Sequence, residues 1–166
     1  ARIDLTDNSS NWSTDQAGAD TNGRNFKGTL NLNRLNKLTS KTNMLLKFNG
    51  QLAADNLDGA DQLSLGGPSS VRAYPSNEAA GDSGFIASVE LKRNLFKNVE
   101  STLFYDYGKI KLHKKLWNDW NSTNTGLKNN YHLQGYGVSL GIPIFNSFNV
   151  NASFARKISH NSGRDG

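Results

Sequence analysis

Period-two alternation of apolar and polar residues recurs along this chain in segments of about ten residues, and it limits the chain to pleated, two-faced strands. Phe26 to Asn33 sets Phe26, Leu30 and Leu32 against Lys27, Thr29, Asn31 and Asn33. Asn43 to Leu52 sets Met44, Leu46, Phe48 and Leu52 against Asn43, Lys47, Asn49 and Gln51. Phe85 to Lys92 opposes Phe85, Ala87, Val89 and Leu91 to Ser88, Glu90 and Lys92. Val99 to Ile110 opposes Val99, Leu103, Tyr105 and Tyr107 to Glu100, Thr102 and Asp106. Tyr131 to Ile142 has Tyr136, Val138, Leu140 and Ile142 on one side and Gly135, Gly137 and Gly141 on the other. Phe148 to Lys157 places Phe148, Val150, Ala152 and Phe154 opposite Asn149, Asn151, Ser153 and Lys157. Ile3-Asp4-Leu5 reads as the end of a further strand.

The connections alternate as regularly as the strands. Leu35–Lys41, Asn94–Asn98 and Phe145–Ser147 are short, whereas Thr6–Asn25, Ala53–Ser83 and Leu112–Asn129 are long and polar. Short turns on one side and long loops on the other are the pattern of an all-β, antiparallel up-and-down transmembrane β-barrel. Strands of about ten residues also match the length a tilted strand needs to cross hydrocarbon. A soluble sandwich keeps most loops short and uses strands of about five or six residues. Six to seven strands do not close a bacterial barrel, for which about eight is the minimum. Residues 1–166 are therefore expected to form the C-terminal part of a larger barrel, with Asn161–Gly166 opening another loop.

Composition decides between kinds of membrane protein. Only 36% of the 166 residues are hydrophobic, and the mean hydropathy is −0.62. No apolar run approaches the roughly 18 residues of a transmembrane helix. A barrel escapes that test, because only alternate residues face lipid and the rest face a wet lumen. Cysteine is absent, which removes disulfides, thiolate metal sites and cysteine nucleophiles. The net charge is +5, but the basic residues are spread along the chain, which reads as solvated surface and not as a nucleic-acid footprint.

One long connection differs from the others. Gly66-Gly67-Pro68-Ser69-Ser70-Val71-Arg72-Ala73-Tyr74, followed by Gly81-Asp82-Ser83-Gly84, surrounds one arginine with backbone punctuation and flanks it with aliphatic and aromatic residues. Such a loop is built to fold inward and dock. An arginine enclosed by a barrel requires a carboxylate partner. The alternation places Asp106 on the polar face with Glu100 and Thr102.

The run from Leu63 to Pro75, with Glu78–Gly84 and Val89-Glu90-Leu91, closely resembles the inward loop and following strand of the two-partner secretion transporters. These are the TpsB proteins of the ShlB/FhaC/HecB haemolysin activation/secretion type. Val71-Arg72-Ala73-Tyr74 matches the family tetrad written VRGY or VRAY, with Ala73 in the position of glycine. Phe104-Tyr105-Asp106-Tyr107-Gly108 is similar to the family's F-x-D-x-G strand motif. The resemblance implies that the loop from about Ala53 to Ser83 enters the lumen and that Arg72 at its tip pairs with Asp106 on the wall. It gives Val71 and Tyr74 a packing role, and Gly66, Gly67, Gly81 and Gly84 a role in close backbone approach. It also groups Asp82 with the loop, and Phe104 and Gly108 with the wall.

Other motifs read more plainly. Gly81-Asp82-Ser83-Gly84 echoes a serine-protease motif, but His113, His132 and His160 all follow Ser83, the wrong order for that triad. Position 85 is phenylalanine where a nucleophile elbow needs glycine. Asp55 to Asp61 lacks the oxygen spacing of an EF-hand and reads as a polar turn. Trp117 and Trp120 fit interfacial aromatics, partner contacts or loop packing. Tyr105 and Tyr107 fit an aromatic girdle or a half-buried strand.

The expected function is an outer-membrane pore, in a Gram-negative cell, for secretion of a large haemolysin- or adhesin-type partner that is unfolded in passage. No enzymatic step, cofactor, metal, nucleic acid or small-molecule substrate is implied, and outer-membrane lipid is the other partner. The alternatives are a barrel-assembly insertase of the BamA type and a soluble β-rich adhesin domain.

Overall fold

A computed structural model describes residues 2–3, 10–24, 26–96, 99–144 and 148–158. In chain order the elements are β1 (Arg2–Ile3), α1 (Ser10–Ala17), β2 (Gly23–Arg24), β3 (Lys27–Lys37), β4 (Thr42–Ala53), β5 (Leu63–Leu65) and β6 (Ala79–Gly81). They continue with β7 (Ser83–Asn94), β8 (Glu100–Lys111), β9 (Asn130–Ile144) and β10 (Phe148–Lys157). Six strands form one antiparallel up-and-down sheet in the order β10-β9-β8-β7-β4-β3. The sheet is open at β3 and β10, as in part of a β-barrel.

Strands β3, β4, β7 and β9 run further than their alternation suggested, β8 is shifted by one residue and β10 has the expected bounds. β3 continues to Lys37, where apolar Leu35 falls on the polar face opposite Leu45, so the reverse connection shrinks to Leu38–Lys41. Two long connections contain structure that was not expected. Thr6–Asn25 includes α1, a helix rich in Ser, Thr, Asn and Asp, with Trp12 its one large apolar residue and little apolar periodicity to announce it. The Asp15 side chain accepts hydrogen bonds from the backbone N–H groups of Thr21 and Asn22, which ties the helix to the segment after it. Ala53–Ser83 includes the short hairpin β5–β6, with Leu63 opposite Gly81 and Leu65 opposite Ala79.

The expected strand end at Ile3–Leu5 is only partly described. Ile3 pairs with Gly23 in a separate two-stranded sheet, and Asp4 and Leu5 lie outside the described residues. Lys97, Asn98, Phe145–Ser147, His160 and Asn161–Gly166 also lie outside them. No described helix is long and apolar enough to cross a membrane.

The two faces of the sheet differ in chemistry. One carries Leu32, Leu103, Leu140, Val150 and Phe154, all exposed. Phe48, Phe85, Tyr107 and His132 form a stacked row across four strands of that face, with successive centroids 5.7, 5.8 and 5.6 Å apart. The opposite face bears Asn31, Asn49, Ser88, Glu90, Thr102, Asp106 and Ser139, and the 53–83 loop lies against it. The apolar core forms where loop and sheet meet: Leu65, Val71, Tyr74 and Ala79 pack with Ile110, Leu112, Tyr131 and Leu133. A Leu, Val or Ile side chain contributes about 1.5–3 kcal/mol when fully buried, so these contacts add to the hold that the charges give the loop.

Candidate functional site

Arg72 stands at the tip of the docked loop, in a backbone turn that begins at Gly66 and Gly67. Both glycines have positive φ (93° and 89°), a region closed to most side chains. The Gly67 N–H donates to the Tyr74 carbonyl oxygen and the Tyr74 N–H to that of Val71, closing the tip around the arginine.

The guanidinium meets the sheet through several contacts. Nε donates to Asp106 Oδ2 at 2.8 Å and Nη2 to Asp106 Oδ1 at 2.7 Å, the bidentate fork of an arginine–carboxylate pair. The Arg72 backbone N–H donates to Asp106 Oδ2 at 3.1 Å. Nη1 stands 3.0 Å from Glu90 Oε1, and Nη2 donates to Ser88 Oγ at 3.0 Å. Ser88 in turn donates to Asp106 Oδ1 at 2.6 Å. The guanidinium carbon lies 3.6 Å from the Phe104 ring centroid, so a cation–π contact supports it from below. Asp106 is fully buried and Glu90 nearly so (0% and 3% exposed).

Glu90 and Ser88 are partners that alternation alone did not single out. Both were on the polar face, but only the register shows Ser88 directly opposite Asp106 and Glu90 opposite Phe104. Glu90 also accepts from Lys47 Nζ at 3.0 Å, and Lys92 bridges Glu90 and Glu100 at 3.7 and 3.6 Å. Arg72 therefore closes a charge network that spans β4, β7 and β8. Beside the tip, a groove of about 220 Å³ runs between Pro68, Ser69 and Ser70 and the Asn31, Asn33 and Asn49 wall.

Glycines shape the seat of the loop. A Cβ on Gly108 would come within 2.9 Å of Leu65 and Val71, and one on Gly135 within 2.5 Å of the Ala73 Cβ. One on Gly137 would reach 2.5 Å from Phe104 Cζ. Position 73 carries alanine, and Gly135 provides the space for its methyl. The glycines at 135 and 137 were visible in sequence on one side of the strand, but what approaches them was not.

The remaining loop residues divide by location. Val71 is fully buried and Tyr74 nearly so, with Tyr74 OH reaching the Gln134 carbonyl at 3.5 Å and Lys157 Nζ 4.9 Å above its ring. Gly81 and Gly84 lie against the backbone of β8 at Lys111 and Lys109. Asp82 is away from the tip, at the entry to β7, and its carboxylate is held by hydrogen bonds from neutral donors. Asp55 and Asp61 pair with Lys115 and Lys27 at 2.6 and 3.0 Å.

Trp117 and Trp120 both stand edge-on to His113, at 4.6 and 5.8 Å, and Trp120 also packs against the core between loop and sheet. Burial lowers the His113 pKa below its ordinary 6.5, against the pull of Asp82 in the other direction. The folded loop thus favours the neutral ring. Its contribution is complete above about pH 6.5 and is lost as pH falls through the depressed folded value. Tryptophan fluorescence is expected to stay constant at neutral pH and to change only below about 6.5. A transition centred above that value would contradict the neutral-ring assignment.

Comparison with known proteins places this geometry. Residues 6–143 match the family model "Haemolysin secretion/activation protein ShlB/FhaC/HecB". Two similar proteins are the heme/hemopexin transporter proteins HuxB of Haemophilus influenzae, strains ATCC 51907 / DSM 11121 / KW20 / Rd and 86-028NP. Each is 33% identical over 118 residues, 69% of this chain. The chain covers 20% of the length of either relative. No solved structure gives a significant match. With the tetrad docked on the strand motif, and the family model matched across most of the sheet, the chain belongs to the ShlB/FhaC/HecB haemolysin secretion/activation family.

Proposed function

We propose that this chain forms part of an outer-membrane barrel that passes an unfolded partner protein out of a Gram-negative cell. In this reading the 53–83 loop is a lumen plug anchored by Arg72. The Arg72–Asp106–Glu90 arrangement carries the proposal, because a buried charge network joining a loop tip to a sheet wall is a releasable anchor. The apolar face, with its aromatic row, then meets lipid, and the row marks the rim on the long-loop side. The polar face becomes the lumen wall. The chemistry is non-covalent: binding and release of a loop.

The exposed apolar face argues against a soluble adhesin domain, since a contiguous face of this kind on a soluble protein invites aggregation. The matched family is named for secretion and activation, which favours transport over a barrel-assembly insertase. Haemolysins and adhesins are the expected cargo class. Relatives named heme/hemopexin transporter proteins extend it to heme- or hemopexin-linked partners.

Cells making the protein together with its partner are expected to release the partner into the medium. Val89→Arg, which puts a cation on the exposed apolar face at mid-strand, between Leu46 and Tyr105, costs about 2–4 kcal/mol at the depth of the midplane and is expected to abolish membrane insertion and release together. Normal insertion of that variant, or release of the partner from cells lacking the protein, would overturn the reading.

A further inference from the structure

Asp82 is a fully buried carboxylate that the Arg72 network does not use. It lies at the end of the inward loop, just before β7, and its hydrogen bonds reach two separate long connections. Oδ1 accepts from the Leu57 N–H at 3.1 Å and from Gln62 Nε2 at 3.0 Å, where the loop leaves β4. Oδ2 accepts from the Lys114 N–H at 2.7 Å, in the connection after β8. Its own N–H donates to the Leu112 carbonyl oxygen at 3.0 Å.

Asn56, also buried, extends the clamp. Its Nδ2 donates to the carbonyl oxygens of Ala19 at 2.6 Å and Lys115 at 2.9 Å, and its Oδ1 accepts from the Lys115 N–H at 2.8 Å. The two side chains thus join all three long connections at the end of the sheet where the inward loop begins and ends. A carboxylate is needed at 82 because donors approach both of its oxygens. An amide there would turn an N–H₂ toward one of them.

We infer that Asp82 and Asn56 are positioning residues for the lumen anchor: they fix both ends of the inward loop and so set where Arg72 meets Asp106. The inference rests on the secretion reading for its biological meaning, but its geometry is tested independently. Val71 is fully buried at the tip, residues 1–166 contain no cysteine, and the labelling is scored against the same protein without the introduced thiol. Val71→Cys therefore reports undocking of the tip through its reaction with a membrane-impermeant maleimide.

The measurement is made on intact cells, in the fraction of protein that keeps its heat-modifiable, folded migration. Val71→Cys alone is expected to be protected. Adding Asp82→Asn is expected to raise the labelling rate about tenfold, the factor corresponding to loss of one charge-assisted hydrogen bond. Asn56→Ala, which leaves the carboxylate in place, is expected to act in the same direction and serves where Asp82→Asn does not assemble. With Arg72→Ala already present, Asp82→Asn is expected to add little, because the tip is already free. Unchanged protection in folded Asp82→Asn and Asn56→Ala proteins overturns the inference, as does full additivity with Arg72→Ala. Exposure of the introduced thiol with secretion intact supports the clamp and counts against the plug reading instead.

Discussion

Arg72→Ala is expected to reduce release of the partner protein more than about tenfold while folded barrel still accumulates in the membrane. The asymmetry of the network explains the size. Asp106 is fully buried, and the Arg72 guanidinium is the one cation at hydrogen-bond distance from it among the described residues. Removing the arginine leaves that carboxylate with the Ser88 hydroxyl and a backbone N–H. Breaking a buried pair on one side costs about 3–5 kcal/mol, and a wet lumen brings the figure toward the lower end. The sheet itself is held by its ladders, so the loss falls on docking of the tip and not on the barrel.

Neighbouring variants follow the same logic. Glu90→Gln is milder, because Arg72 keeps its fork on Asp106. Arg72→Lys keeps the charge but gives up the planar fork, so its effect falls between wild type and alanine. Unchanged secretion by a folded Arg72→Ala protein would rule out the plug-anchor role.

The second large effect comes from a single methyl group. Gly135→Ala would place a Cβ 2.5 Å from the Ala73 Cβ, far inside the roughly 3.5–4.0 Å at which carbon atoms rest. Overpacking of this kind costs about 1–3 kcal/mol, and the side that can move is the loop, since position 135 is held by pairing with Asp106. Secretion is expected to fall toward the Arg72→Ala level. The space can be exchanged across the interface: Ala73→Gly removes the opposing methyl, so the double variant Ala73→Gly/Gly135→Ala is expected to recover most of the activity. Recovery stays incomplete by up to about 1 kcal/mol, because glycine at 73 loosens the free loop. A double variant no better than Gly135→Ala alone would show that the clash is not with residue 73.

Much of the architecture was legible in the chain because a strand with unlike faces repeats every two residues, whatever its neighbours. β10 spans the residues its alternation marked, and the other large strands differ mainly at their ends. The ends were less legible because pairing, not side-chain pattern, decides where a strand stops. Leu35 interrupts the alternation yet stays in β3, held by the ladder to Leu45. Helix α1 was missed because its residues favour caps and turns locally.

The site divides along the same line. Asp106 was assigned to the polar face from its own strand alone, and the composition of the loop marked Arg72 as a charge needing a partner. Glu90, Ser88 and Gly135 entered only through register, and register depends on three strands meeting. Asp82 and Asn56 were further from view, since their partners come from connections with no periodicity at all. By itself the sequence determined the two-faced strands, the order of short and long connections, and the arginine loop. Only the tertiary structure decided what the loop touches, because contacts between residues 34 or 60 apart depend on how strands align and not on what each strand is made of.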